Sequence, residues 1–233
     1  MTRASVSAPV RPASGRALET RTRLLGAGRA AFAAKGLAGT NLKTDILDPA
    51  GVSVGSFYHQ FPDKTELLLS ILFDHSEKFR ARLREIHRPR PGRSLERLVR
   101  DSYELVFADA EANADILRIQ LRERHSGSQR VREFLREDRE RWISSLSENF
   151  ALIEEAAGLP PVAHGAAELI VSLAHGAVAH LLEIPTAARA RARARLVDNL
   201  VRFSLGGMSA LLEHSKTDAS RSPLASRTRG RAG

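Results

Sequence analysis

No cysteine occurs among the 233 residues, so the chain can form neither a disulfide framework nor a thiolate metal site. The amino terminus lacks the apolar run that leads a secreted chain. The longest apolar stretch, Leu169 to Leu182, falls short of a bilayer span and contains two histidines. The expectation is a cytoplasmic protein with no membrane partner. Catalytic arrangements are missing as well: no serine sits in a nucleophile elbow, and no glycine-rich phosphate loop or metal-binding histidine pair is present. His175 and His180 lie five apart, which takes them off a common helix face. We therefore expect no enzyme, no catalytic residue, no metal and no cofactor.

Acid is scarce at both ends. Residues 1–17 hold Arg3, Arg11 and Arg16 with no acid, and residues 215–233 hold five basic side chains against Asp218. Seven of the nine net positive charges thus lie in tails rich in Ser, Pro, Gly and Ala, which read as a disordered arm and tail. Two accounts fit: solubility with an arginine-rich composition, or a polyanionic partner such as DNA. The chain as a whole is 42% hydrophobic, enough to bury a core.

Between Ala50 and Lys64 the residues are more specific. Ala50-Gly51-Val52 reads as a tight turn, Ser53 as the cap of a helix over Val54–Gln60, and Pro62 as its stop. Asp63-Lys64-Thr65-Glu66 is a capping box opening the next helix. Val52, Phe57 and Phe61 can point inward. Val54, Gly55, Ser56, Tyr58, His59 and Gln60 are then left outward, small or polar, able to approach phosphates and base edges without filling a groove. Upstream, a helix over Leu18–Lys35 is expected to bury Leu24, Leu25, Gly28, Ala31 and Phe32 and to end at Gly36, with Arg21 and Arg23 either reaching phosphate or, the favoured reading, facing water.

Residues from about Leu18 to Leu72 resemble the amino-terminal DNA-binding domain of TetR-type transcriptional regulators. The resemblance is carried by Arg23-Leu24-Leu25, Phe32-Ala33-Ala34-Lys35-Gly36, Ala50-Gly51-Val52-Ser53, and Gly55 to Phe61 followed by Asp63-Lys64. It implies that Ser53, Ser56 and Tyr58 bond phosphates, that Lys64 anchors the DNA backbone, and that Val54, Gly55 and His59 face base edges. Lys43 and Thr44 are carried over as contacts from the preceding helix. Val54 offers a methyl surface but no bidentate bond, so DNA shape, Lys43 and Thr44, or the basic arm should supply much of the specificity. One departure stands out. From Gly36 to Gly51 the chain is one residue longer than the family interval, and Pro49 falls inside the helix, so that helix should end or bulge near Leu47 or Asp48.

Downstream, the spacing predicts a helix from Lys64 to about His87 with Leu68, Leu72, His75, Phe79, Leu83 and Ile86 on one face, broken at Pro89–Gly92. Helices follow over 94–109, 113–121 and from 128 to the break at Gly158–Pro161. A helix over 162–184 is apolar nearly all round. Thr186 should cap the last, whose stripe is Leu196, Leu200, Phe203, Gly207 and Leu211, while Arg189, Arg191, Arg193 and Arg195 form a solvated face. Those two helices suit either an internal core or a four-helix dimer interface; the resemblance favours a homodimer through about 162–214. Tyr103, Phe107, Trp142 and His175 could line a pocket for a small apolar effector, although each also fits core packing.

The expected architecture is all-α, with a helix-turn-helix domain over 18–64 followed by a helical bundle over 65–214 for dimerisation and ligand binding. The function expected by resemblance is a sequence-specific regulator of double-stranded DNA, a repressor released by its effector. The rival is a helical lipophile-binding or protein-interaction module whose amino-terminal helix pair no longer reads DNA.

Overall fold

Helices, and no strands, make up the secondary structure of the described residues, as the all-α expectation requires. The structure is a computed structural model describing residues 15–88, 90–125, 127–157 and 163–221, with backbone alone at 152–157, 163–164, 208–209 and 211–221. The basic arm up to residue 14, the break at Gly158–Pro161 and the tail beyond 221 lie outside these residues, as do the side chains of Ile153 and Leu211.

Helix α1 (Gly15–Gly39) is interrupted at Gly36, whose φ of 71° favours glycine over any residue with a Cβ. Its regular part therefore ends at Lys35, where the sequence placed the end. Leu24, Gly28, Ala31 and Phe32 are buried, and Leu25 packs half-buried on the same core. Helix α2 begins as a π-helix over Leu42–Leu47 and continues as an α-helical turn over Asp48–Ala50. Its wide turns are closed by bonds from the Asp48 N–H to Lys43 O and from the Val52 N–H to Leu47 O. The helix does not stop at Pro49; the surplus residue is absorbed upstream, because a π-turn takes up one extra residue while Ile46, Leu47 and Ala50 stay in the core. Helix α3 (Val54–Gln60) and helix α4 (Lys64–His87) have the predicted limits. The capping box is half realised, with Asp63 Oδ1 accepting the Glu66 N–H at 2.7 Å.

The chain divides into two compact units. The first combines residues up to Arg82 with Asn113–Glu137; the second combines Leu83–Ala112 with residues from Asp138 onward. Helices α4 and α7 (Gln129–Ala157) supply residues to both. In the first unit, Leu24, Phe32, Ile46, Phe57, Phe61 and Leu68 share one core with Ile116 and Ile119 of α6 (Ala114–Glu123) and with Val131 and Phe134 of α7. Each such side chain contributes roughly 1.5–3 kcal/mol when fully buried.

In the second unit α5 (Leu95–Ala112), α8 (Ala163–Glu183) and α9 (Thr186–Arg221) pack on one another. Ile143 and Phe150 of α7 meet Ala166, Ala167 and Val171 of α8. From Gly165 to Glu183, α8 is long and apolar enough to cross a membrane by length and composition, longer than the stretch the sequence reading weighed. Its buried side places Ala166, Ala167, Val171, Val178 and Leu181 in a protein core. Three expectations for α9 are corrected. Thr186 is already helical, the Ala188 N–H bonding back to Pro185 O at 2.9 Å. The buried line is Ala192, Val197, Leu200, Val201 and Ser204, and Phe203 is 64% exposed. The four arginines are not all solvated either: Arg189 donates to Ile184 O and Leu182 O, capping α8, and Arg193 pairs with Glu111 at 2.8 Å.

Candidate nucleic-acid interface

The turn before α3 is set by Gly51, with φ 61° and ψ 40°, a left-handed conformation that costs glycine no clash. Arg23 holds it from α1, its Nη1 donating to Ala50 O at 3.2 Å and to Gly51 O at 3.4 Å. Arg21 is 9% exposed, with its guanidinium 4.6 Å from the Phe61 ring centroid, a cation–π contact. Arg21 is therefore spent on the inner side of the helix pair, contrary to the sequence expectation, whereas Arg23 stays exposed, as expected, while bonding the turn.

Ser53 caps α3, its Oγ accepting the Ser56 N–H at 3.2 Å and donating to Ser56 Oγ at 2.9 Å. The Ser56 hydroxyl proton is thereby left for an outside acceptor. Phe57 and Phe61 are buried on the inner face, while Tyr58 lies edge-on to Phe57 with centroids 5.3 Å apart. On the outer face Val54 is 52% and Tyr58 57% exposed, and Gly55, Ser56 and His59 are exposed too. Among the described residues, and apart from its chain neighbours and its own helix backbone, no atom lies within 4 Å of where a Cβ on Gly55 would stand, so nothing there demands a glycine.

Lys43 and Thr44 are exposed on the first turn of α2. Asn41 caps that turn, accepting both their N–H groups, and Asp45 accepts the Asn41 N–H at 2.8 Å. The Lys35 ammonium on Asp45, together with the Asn41 N–H, holds that carboxyl below the ordinary aspartate range. Lys64 has a second employment that sequence reasoning missed. Its Nζ donates to Leu37 O at 3.2 Å and also to Thr40 O, in the link between α1 and α2.

Further holders of this head come from distant sequence. Arg29 of α1 pairs with Asp115 and with Asn113 at the start of α6, and the guanidinium draws the Asp115 carboxyl below its ordinary value. Arg130 of α7 reaches Asp63 at 3.3 Å and Glu66 at 2.6 Å. Arg122 and Glu123, at the end of α6, grip the end of α1.

The four candidate effector residues differ in their surroundings. Tyr103 is buried with its hydroxyl 2.7 Å from Ser204 Oγ, and burial pushes its pKa up. Phe107 is fully buried on the same helix. Trp142 is half-buried, bonded through Nε1 to Asp138 at 3.3 Å and packed on the α7–α8 core. His175 is exposed, its Nδ1 2.9 Å from Val171 O, so it faces outward from its unit rather than into its core.

A second helix seated by a glycine turn, buried on one side and bare on the other, defines a helix-turn-helix head of the kind that enters a DNA groove. Residues 24–71 match the family model of bacterial regulatory proteins of the tetR family. About four fifths of the chain has the fold of solved structures, among them two described as regulators. GusR of Salmonella enterica is 24% identical, with a TM-score of 0.68 over 84% of this chain and 96% of that one. The fatty acid degradation regulator FadR of Bacillus halodurans is 17% identical, with a TM-score of 0.69 over 81% and 95%. A TetR-family transcriptional regulator from Streptomyces coelicolor is 19% identical, with a TM-score of 0.63 over 79% and 95%. No curated protein matches the sequence. Residues 24–71 thus match the model of the tetR family, and the chain shares its fold with a solved protein described as a TetR-family regulator.

Proposed function

We propose that this protein is a sequence-specific DNA-binding transcriptional regulator that reads a two-fold symmetric operator as a homodimer. The observation that carries the reading is the outer face of α3, where an exposed valine, tyrosine and histidine flank a glycine that the fold itself does not require. Ser56, Tyr58, Lys43 and Thr44 donate to phosphates, with Ser53 ordering Ser56 beneath them, and Lys64 offers its remaining N–H. Val54, Gly55 and His59 face base edges, Val54 against a thymine methyl.

Dimerisation proceeds through α8 and α9. Leu169 is 59% and Phe203 64% exposed, and Gly176 and Gly206 are open to close approach, as a second copy needs. The regulator represses until a small apolar molecule binds its non-DNA-binding arrangement more tightly than the other. A structural neighbour described as a fatty acid degradation regulator supports an apolar effector class. The setting is the cytoplasm.

The test is selection of duplexes from a random library at physiological salt with competitor DNA. Enrichment of a symmetric motif, with half-sites about 34–36 Å apart or a multiple of that, is the expected result. Retention of DNA with no enriched motif would remove the reading.

A further inference from the structure

Leu37 is where α1 hands the chain to α2, and its peptide groups are held from both sides. Its N–H donates to Glu123 Oε1 of α6 at 2.9 Å, and its C=O accepts from Lys64 Nζ of α4 at 3.2 Å. Glu123 is only 2% exposed, and its Oε2 has no hydrogen-bond partner among the described residues. A half-satisfied buried carboxylate costs stability, so packing alone gives no reason for an acid here. The site is nonetheless shaped around it. Gly36, at φ 71°, leaves the space; a Cβ there would come within 3.0 Å of Glu123 Oε1 and 2.8 Å of Arg122 Cδ. Arg122 meanwhile donates to Ala33 O at 3.3 Å, taking up one of the carbonyls left open where α1 ends.

The other end of the same short link bears on the DNA-facing side. Lys64 also donates to Thr40 O, and Thr40 Oγ1 donates to Gly36 O at 2.6 Å. Asn41, the cap that orders Lys43 and Thr44, follows directly.

We propose that Glu123 is a positioning residue for DNA binding: by fixing the Leu37 N–H it sets the carbonyls on which Lys64 rests, and so aims the third Lys64 N–H and the start of α2 at phosphates. This rests on the DNA-binding reading above. Glu123 lies on α6 and acts through Lys64, without touching DNA itself.

The experiment is operator affinity against salt concentration for the full-length wild type, Glu123→Ala, Glu123→Gln, Lys64→Met and the Glu123→Ala/Lys64→Met pair, on the duplex selected above. Glu123→Ala should weaken binding about tenfold and lower the salt slope by about one phosphate contact, a change that loss of stability alone does not produce. Glu123→Gln, whose amide oxygen still accepts the Leu37 N–H, should restore both. Adding Glu123→Ala to Lys64→Met should cost much less than Glu123→Ala alone, because the two act as one unit. If Glu123→Ala does not fold, Glu123→Asp, which draws the carboxylate back by one methylene, is measured by the same slope. A wild-type slope in the folded variant, or full additivity in the cycle, overturns the inference while leaving DNA binding intact. Failure of the wild type to select any operator removes the DNA-binding reading, and this inference with it.

Discussion

The two units use their polar side chains differently. In the first, Arg23, Lys64, Asn41, Arg122 and Glu123 are spent on backbone groups of the α1–α2 link and the α3 turn. In the second, several polar side chains meet one another across helices, as in Tyr103 with Ser204, Arg100 with Asp198 and Arg193 with Glu111, a kind of pairing that Arg29 and Arg130 add to the first. Each also leaves something unspent: the first a small, polar face on α3, the second the apolar Leu169 and Phe203. A head whose backbone is pinned can present groups at fixed positions to a rigid duplex. A bundle joined side chain to side chain, with apolar residues left bare, is suited to association.

The sharpest way to break the contrast within α3 is to compare two adjacent residues. Phe57→Ala removes a fully buried ring and should cost about 3–5 kcal/mol, measured by denaturant unfolding. Tyr58→Ala, next to it but exposed, should cost about 1 kcal/mol at most while abolishing most operator affinity. If Tyr58→Ala bound DNA as well as wild type, the outer face of α3 would lose its assignment. In the second unit, Phe203→Glu places a charge on the bare apolar face and should weaken self-association by at least about 2 kcal/mol in sedimentation equilibrium, with monomer stability unchanged. An unchanged mass distribution would exclude this face as the dimer contact. A smaller effect is expected from Tyr103→Phe. It strands the buried Ser204 hydroxyl and should cost about 1 kcal/mol in unfolding free energy.

What could be read beforehand follows the same division. The limits of α3 are written locally: Gly51, Ser53, Pro62 and Asp63 each act within a few residues of where they stand, and α3 came out as predicted. The surplus residue before Gly51 was visible too, with a bulge expected near Leu47 or Asp48; the widening is a π-helix over Leu42–Leu47, closed at Asp48. That is decided by Asn41 and Asp45 fastening the start of α2 while Leu47 and Ala50 stay in the core, so the widening falls between them. Arg122 and Glu123 carry no local signal, since their partners lie 86 to 90 positions away. In α9, Leu196 and Phe203 share a helical spacing as good as that of Val197, Val201 and Ser204. The choice is made by α5, where Tyr103 needs Ser204, and periodicity cannot see α5. The exposure of His175 was hidden for a related reason: a histidine among apolar residues looks enclosed until the exposed side of α8 is known.

The finest distinction between the units concerns pH. His87, in the second unit, sits in a closed hydrogen-bond chain: Asn149 Nδ2 is 3.0 Å from its Nδ1, Ser102 Oγ is 3.0 Å from its Nε2, and Ser102 in turn donates to Leu98 O at 2.9 Å. With Asn149 donating to Nδ1, the ring carries its proton on Nε2 and is neutral. Burial, and after it the positive charge of Arg93, hold the His87 pKa below its ordinary 6.5. A histidine depressed on folding takes up its proton more readily when unfolded, so its contribution is complete above 6.5 and is lost as pH falls from there through the folded value. Glu and Asp titrate lower, so the window just below 6.5 belongs mainly to histidines. His87→Gln keeps a donor and an acceptor but does not titrate. The wild type should therefore lose stability relative to His87→Gln as pH is lowered through that window, in thermal melts recorded at matched ionic strength. Parallel curves would mean that the ring accepts its proton in place, with Asn149 turning its amide oxygen to Nδ1, and that this polar chain tolerates the charge that the geometry excludes.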